Sequence, residues 1–365
     1  MEFMKDTERA MKALYVTAVV TYSGKTALAL GIGLKLQEMG RKVGYMKPIS
    51  TQPFLINGKL VDEDAEFVGR TLGLETPIEA LAPIILDDAK IDSVLSGAPA
   101  EDYLAAVKAA YAKVSEGRDV VLLEGGASMR EGYIIGLNAM SVAKTLDVLT
   151  LGVVRYRSTL MLVDDALALK ARMGEHLLGM VINSVPEEQL EAVRGKVSHF
   201  LESKGVRVYG VLPNDPRLMS ISVAELINVL DAKKLTPEVS DEGLIETLSV
   251  GAMSVESATQ HFRRLQRKAV ITGGDRADIQ AAALETSTTA LVLTGNLQPS
   301  ATILKHAESR GVAVLLVPYN TLETIERVEK VFGKTRLAHP EKLARFRESL
   351  DVNLNWARLF ADLGI

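Results

Sequence analysis

The chain has 365 residues, enough for two or three domains, and 47% of them are hydrophobic, enough to fill complete cores. A formal net charge of −4 leaves no basic excess, which argues against a nucleic-acid track or an anionic membrane surface as partner. Cysteine is absent, which excludes disulfides, thiolate metal ligands and a cysteine nucleophile.

Residues 1–11 read as a charged N-terminal extension without the apolar core of a signal peptide. No uninterrupted apolar segment is long enough to span a bilayer, so a soluble cytoplasmic protein is expected. A first domain is predicted over 12–221. Its strand-like runs are Leu14 to Val19, Val43 to Met46, Val120 to Leu123, Val148 to Val154, Leu178 to Ile182 and Val206 to Leu212. Most are continuously apolar, as strands buried on both faces should be. Helical patterns lie between them, such as Ala27 to Met39 stopped by Gly40 and Glu101 to Glu116 stopped by Gly117. The predicted fold is α/β, a P-loop NTPase-type parallel sheet with helices on both faces. Asn57-Gly58, between two short apolar runs, signals a β-hairpin.

The first strand leads into Tyr22-Ser23-Gly24-Lys25-Thr26 and then a helix. A strand feeding a tight loop into a helix N-terminus aims backbone N–H groups and the positive end of the helix dipole at one spot, where a phosphate fits. Lys25 is then the partner of the outer phosphates and Thr26 the hydroxyl that reaches Mg²⁺. The usual pattern has Gly or Ala five residues before Gly24. Val19 stands there, with Ala18 one residue earlier, so the loop is longer by one.

Four further places fall where such a site needs them. Lys47-Pro48 follows the second strand, where a lysine holds a terminal phosphate or stays solvated. Asp62-Glu63-Asp64 opens a helix, where carboxylates either cap it or bind metal, with capping the simpler role. Glu124 ends a buried strand before Gly125-Gly126. A carboxylate there is costly unless paired or metal-bound, which favours Mg²⁺ coordination. Asn183 ends a later strand and either hydrogen-bonds an adenine edge or simply terminates the strand.

Residues 222–245, polar and with one proline, read as a linker. From 246 to 340 a shorter unit recurs, each an apolar strand ending in small or turn residues: Val250-Gly251-Ala252, Ile271 to Asp275, Leu293 to Asn296 and Val317 to Asn320. Four such units predict a smaller α/β domain with its loops at the carboxyl edge of a parallel sheet. Gly273-Gly274 exposes backbone N–H groups to an anion, Asp275 is placed to cap the next helix, and Arg276 either grips an anion or is an exposed turn residue. His176, His261 and His306 show no metal-ligand spacing. Residues 341–365 read as a C-terminal amphipathic helix packed on this second domain.

The order Gly24-Lys25-Thr26, Lys47-Pro48, Asp62 to Asp64, Glu124-Gly125-Gly126 and Asn183 resembles dethiobiotin synthetase and the synthetase part of cobyrinic acid a,c-diamide synthase. A loop longer by one residue is known among such ligases. Thr272-Gly273-Gly274-Asp275-Arg276-Ala277-Asp278, with Leu293-Thr294-Gly295 and Val317-Pro318, resembles a DRTGG domain. The pair resembles the N-terminal part of long phosphate acetyltransferases.

The resemblance implies ATP and Mg²⁺ as cofactors. Lys25 and Lys47 are the implied catalytic lysines, and Tyr22, Ser23, Gly24, Lys25, Thr26, Gly125 and Asn183 the implied nucleotide contacts. Thr26, Asp64 and Glu124 are the implied metal ligands. Gly273, Gly274, Asp275 and Arg276 are implied effector or interface residues of a regulatory domain. Acetyl transfer belongs to a separate domain for which the chain has no room, and glutamine-dependent amidation needs a cysteine; neither activity is expected. The leading expectation is an ATP-binding regulatory or sensor protein, a homo-oligomer, with an acetyl-CoA-metabolising enzyme as a candidate partner. The alternatives are an ATP-dependent ligase activating a carboxylate or carbamate, and an assembly module with a degenerate nucleotide site. Val20 and Thr21 are β-branched where relatives carry Glu-Gly, so a phosphate path needing positive φ at either position would be closed.

Overall fold

The computed structural model describes residues 11–51, 53–56, 58–97, 101–329, 337 and 339–365. The extension expected over 1–11 lies outside them except for Met11, as does Asn57 of the predicted hairpin turn. The described chain forms two compact units. One takes the described residues up to Asn214 and those from 339 onward, and the other those between Asp215 and Leu337.

The first unit is built on six strands, β1 (Lys12–Ala18), β2 (Val43–Met46), β3 (Val120–Glu124), β4 (Leu149–Arg155), β5 (Leu177–Val185) and β6 (Val208–Pro213), in the order β6-β5-β4-β1-β3-β2. All neighbours are parallel. Leu14, Val16, Leu122, Leu151 and Val181 are fully buried, which is why these strands read as unbroken apolar runs. Strand order reverses at β1, between β3 and β4. The loop leaving β1 therefore opens into the crevice at the carboxyl edge where open α/β sheets take ligands. Helix α1 (Lys25–Glu38) follows that loop, and α2 (Glu63–Thr71) follows the antiparallel hairpin Pro53–Ile56 and Lys59–Asp62. Helix α3 (Tyr103–Ser115) ends before Gly117, whose φ of 66° suits glycine.

The second unit has five strands, β7 (Lys233–Lys234), β8 (Thr247–Val250), β9 (Lys268–Gly273), β10 (Thr288–Thr294) and β11 (Ala313–Leu316), in the order β7-β11-β10-β9-β8. Four are parallel, and β7 adds an antiparallel edge against Leu315 and Leu316. The stretch 222–245, expected as a linker, is thus folded into this unit. It carries β7 and α4 (Val223–Leu230), which starts with a capping box in which Ser222 and Glu225 satisfy each other's backbone N–H. Helices α5 (Val255–Arg263) and α6 (Ala277–Leu284) cover the sheet, and Phe262, Ile279, Leu293 and Ile303 share one of its two cores.

The chain then returns to the first unit. The final segment is two helices, α7 (Pro340–Asn353) and α8 (Trp356–Leu363), and they pack on the first unit, not on the second as expected. Gly31 explains the docking of α7. A Cβ at that position would lie 2.2 Å from Leu350 Cδ1 and 3.3 Å from Phe346 Cε1, so only glycine lets the helices approach this closely. Lys35 pairs with Asp351 at 2.8 Å. Beyond α7, Leu354 bridges antiparallel to Gly210, and the Asn355 N–H donates to the Tyr209 carbonyl at 2.7 Å, covering the outer edge of β6.

Candidate functional site

The loop between β1 and α1 makes its turn with two left-handed residues, Tyr22 at φ 51° and Gly24 at φ 93°. Val20 and Thr21 are not among the residues with positive φ, so the loop takes its course without left-handed strain at these β-branched positions. Tyr22 is half exposed, and Ser23 is buried with its hydroxyl unpaired. Gly24 precedes the first helical residue, Lys25, and no side chain caps that helix start. The free N–H groups of α1 therefore face the loop without a protein partner from a capping side chain.

Glu124 ends β3 opposite Val16 of β1 in the parallel register, which sets it beside the loop. The Thr26 hydroxyl donates to its Oε1 at 2.6 Å, and the Tyr45 hydroxyl donates to its Oε2 at 2.6 Å. Burial raises the Glu124 pKa, opposed by the charges of Lys47 and Lys25. Lys25 is itself buried and donates to the Ala127 carbonyl at 3.0 Å; desolvation lowers its pKa against the attraction of Glu124. Gly125 donates its N–H to Val16 O at 2.8 Å, and a Cβ there would meet Thr17 Oγ1 at 2.8 Å. Glycine is what lets the chain turn this close to β1.

Lys47 is buried, and its ammonium lies 2.9 Å from Asp62 and 2.7 Å from Asp64. Burial disfavours its charge, but Asp64, Glu124 and Asp62 outweigh that and hold its pKa above the ordinary lysine value. Asp62 also caps α2 by accepting from the Ala65 N–H at 2.8 Å, so capping and pairing meet in one carboxylate. Asp64, expected to join Thr26 and Glu124 on a metal, is here the partner of Lys47, with a side chain 40% exposed. Lys25, Lys47 and Glu124 sense one another's charge, which makes these groups one electrostatic site.

Asn183 arrives from the end of β5. Its side-chain N–H donates to the Ser23 carbonyl at 2.8 Å, and its Oδ1 accepts from the Ser184 N–H at 2.8 Å. The structure thus sets it against the phosphate loop, with its amide already in use. Sequence reasoning did not single out Tyr45 or the Asn183 brace. A phenol in a buried strand needs a hydrogen-bond partner, which is the signal that points to Tyr45.

The oxygens of Thr26 and Glu124 suit a hard cation, and the unpaired Ser23 hydroxyl is a further polar atom facing inward at the loop. Among the described residues no cluster of three or more His, Asp or Glu side chains could hold a metal alone. Mg²⁺ commonly takes one or two protein oxygens and completes its shell with phosphates and water, so this donor set fits it.

In the second unit, Gly273-Gly274 and Arg276 lie at the carboxyl end of β9. A Cβ on Gly274 would lie 1.7 Å from the Leu297 carbonyl oxygen, so that glycine serves a close backbone crossing. Asp275 does not cap α6, contrary to expectation. Arg276 is the N-cap residue and no side chain caps the helix. The Asp275 carboxylate instead folds back over Gly273, and Arg276 makes a two-pronged pair with Asp278 at 3.0 and 3.1 Å and donates to Met253 O.

Sheet order, the left-handed glycine and the Lys25, Thr26 and Glu124 constellation are those of a P-loop NTPase-like domain. The chain belongs to the AAA domain family, whose sequence pattern matches residues 12–222. A DRTGG domain matches residues 225–331. The chain is similar to phosphate acetyltransferases, 25% identical over 354 residues to that of Nitrosomonas europaea, covering 92% of this chain and 49% of the relative. The Nitratidesulfovibrio vulgaris phosphate acetyltransferase is 26% identical over 372 residues, covering 95% of this chain and 51% of the relative. The ATP-dependent dethiobiotin synthetase of Methanococcus vannielii is 24% identical over 220 residues, covering 58% of this chain and 98% of the relative. The chain spans about half the length of the phosphate acetyltransferases it matches. Among the described residues no helix is long and apolar enough to cross a membrane.

Proposed function

We propose that this chain is a nucleotide-binding regulatory protein that takes ATP with Mg²⁺ in its first unit. The observation that carries the reading is the hydrogen bond from Thr26 to Glu124 at the N-terminus of α1, next to the left-handed Gly24 and the buried Lys25. Lys25 and Lys47 hold the outer phosphates in this reading. Thr26 and Glu124 supply the cation's protein oxygens, and the partly exposed Asp64 is a further candidate. Asn183 keeps the loop in shape rather than reading the base. Bound Mg²⁺ supplies charge neutralisation for the phosphates. The DRTGG part is the regulated element, its effector or partner contacts centred on Arg276. A role beside acetyl-CoA-metabolising enzymes and a homo-oligomeric assembly belong to the same proposal, supported by the likeness to phosphate acetyltransferases.

The second reading is an ATP-dependent ligase, favoured by the likeness to a dethiobiotin synthetase along nearly that relative's whole length. Here Lys25 and Lys47 would stabilise charge on a phosphoryl group passing to a carboxylate or carbamate.

Calorimetric titration of nucleotide-free protein with ATP and Mg²⁺, followed by an ADP-release assay, separates the two. Saturable binding without turnover supports the regulatory reading. Turnover accelerated by an added carboxylate or amine supports the ligase. Absence of binding at millimolar ATP, or unchanged affinity in Lys25→Ala, overturns both.

A further inference from the structure

The nucleotide reading gives no role to the buried phenol of Tyr45. The remainder of β2 is Val43, Gly44 and Met46, and the Tyr45 side chain is fully buried with its hydroxyl on Glu124 Oε2 at 2.6 Å. The other carboxylate oxygen, Oε1, holds the Thr26 hydroxyl at the same 2.6 Å. Two hydroxyls from two separate elements, β2 and α1, therefore grip opposite oxygens of one carboxylate that ends β3. A carboxylate with one tether keeps the freedom to turn about its last side-chain bond. One gripped on both oxygens has its plane fixed.

The two tethers are not equivalent. Thr26 stands at the helix N-terminus, on the side open to the phosphate loop, and its hydroxyl is the group that the nucleotide reading engages with the cation. Tyr45 belongs to the buried strand β2, and its hydroxyl is held on the other oxygen, Oε2. We propose that Tyr45 is a positioning residue for nucleotide-bound Mg²⁺: it holds Glu124 with Oε1 directed to Thr26 even when the Thr26 hydroxyl is engaged elsewhere. This rests on the nucleotide reading. It assigns β2 a share in the metal response of the site.

The test is Tyr45→Phe, which keeps the ring and deletes the hydroxyl. Wild type and variant are titrated with ATP calorimetrically, once in EDTA and once with Mg²⁺. The expected result is unchanged affinity for metal-free ATP and a roughly tenfold loss of the tightening that Mg²⁺ brings, the size of one hydrogen bond to a charged group. In a Glu124→Gln background the same substitution should leave the Mg²⁺ response unaltered, because the two residues act through one contact. An equal loss in both conditions would mark Tyr45 as mere packing and overturn the proposal. So would a full Mg²⁺ response in Tyr45→Phe, while leaving the nucleotide reading intact. A wild type that binds ATP in neither condition overturns the nucleotide reading and the role of Tyr45 with it.

Discussion

The side-chain amide of Asn183 donates to the Ser23 carbonyl at 2.8 Å, tying the end of β5 to a loop that leaves β1 two strands away. The same amide nitrogen lies 2.5 Å from where a Cβ on Gly24 would stand. Gly24 is thus glycine for two reasons, its φ of 93° and the amide beside it. Gly24→Ala should destabilise the protein by the left-handed penalty of roughly 1–2 kcal/mol plus the displacement of Asn183. In an Asn183→Ala background only the first term should remain, giving a coupling of at least about 0.5 kcal/mol in a denaturant-based double-mutant cycle. Equal penalties in the two backgrounds would show that the amide does not press on the loop.

Lys47 and Asp62 are both buried, so removing Lys47 leaves the Asp62 carboxylate buried without its cation. Lys47→Met should cost about 3–5 kcal/mol of stability, and Lys47→Met with Asp62→Asn should recover much of it. Asp64→Asn should matter far less, since that carboxylate is partly exposed and water screens it. Urea unfolding of the three variants checks the order. A mild Lys47→Met would mean that the cluster relaxes to admit water.

Lys268 opens β9 buried, donating to Ser287 O at 2.9 Å, and desolvation pulls its pKa down to about 8 from the ordinary 10.5. Between these values the unfolded chain holds the proton more firmly than the folded one. Stability should therefore rise as pH goes from about 8 to 10.5, with the whole penalty of the buried charge present below 8. Lys268→Met should lack this rise, so wild type minus variant stability should climb across that window. Thermal melts of both proteins from pH 7 to 10.5 measure it, and parallel curves would refute it.

Gly31 faces Leu350 of α7 across a gap that no Cβ fits. Alanine ordinarily stabilises an interior helix position by about 1 kcal/mol over glycine. Here Gly31→Ala should destabilise, and in a Leu350→Ala background it should turn neutral or stabilising. Leu350→Ala alone should cost about 2–5 kcal/mol. A stabilising Gly31→Ala in the wild-type chain would mean that the Leu350 side chain turns aside and that glycine is not required for the docking of α7.

The strands of the first unit were legible because both faces are buried and their residues form unbroken apolar runs. Gly24-Lys25-Thr26 was legible as a phosphate loop from its place between strand and helix. Glu124 stood out because a carboxylate ending such a strand demands a partner. The partners themselves were not legible. Tyr45 and Asn183 reach the site through pairing between strands far apart in the chain, and no local pattern encodes that distance. Asp64 was assigned by analogy, while the nearest cation in space is Lys47. The amphipathic pattern of α7 and α8 announced helices with a buried face without saying which unit covers it. One missed element was readable: Ser222-Val223-Ala224-Glu225 spells a capping box, which marks a helix start in the stretch taken for a linker.

The return of the chain to the first unit makes the second unit an insert, entered after Asn214 and left before 339. A boundary drawn at the end of the DRTGG match would cut away α7 and α8 and expose Gly31 and the outer edge of β6. The P-loop unit is therefore discontinuous in sequence, and its autonomous form is a splice of two segments rather than a truncation.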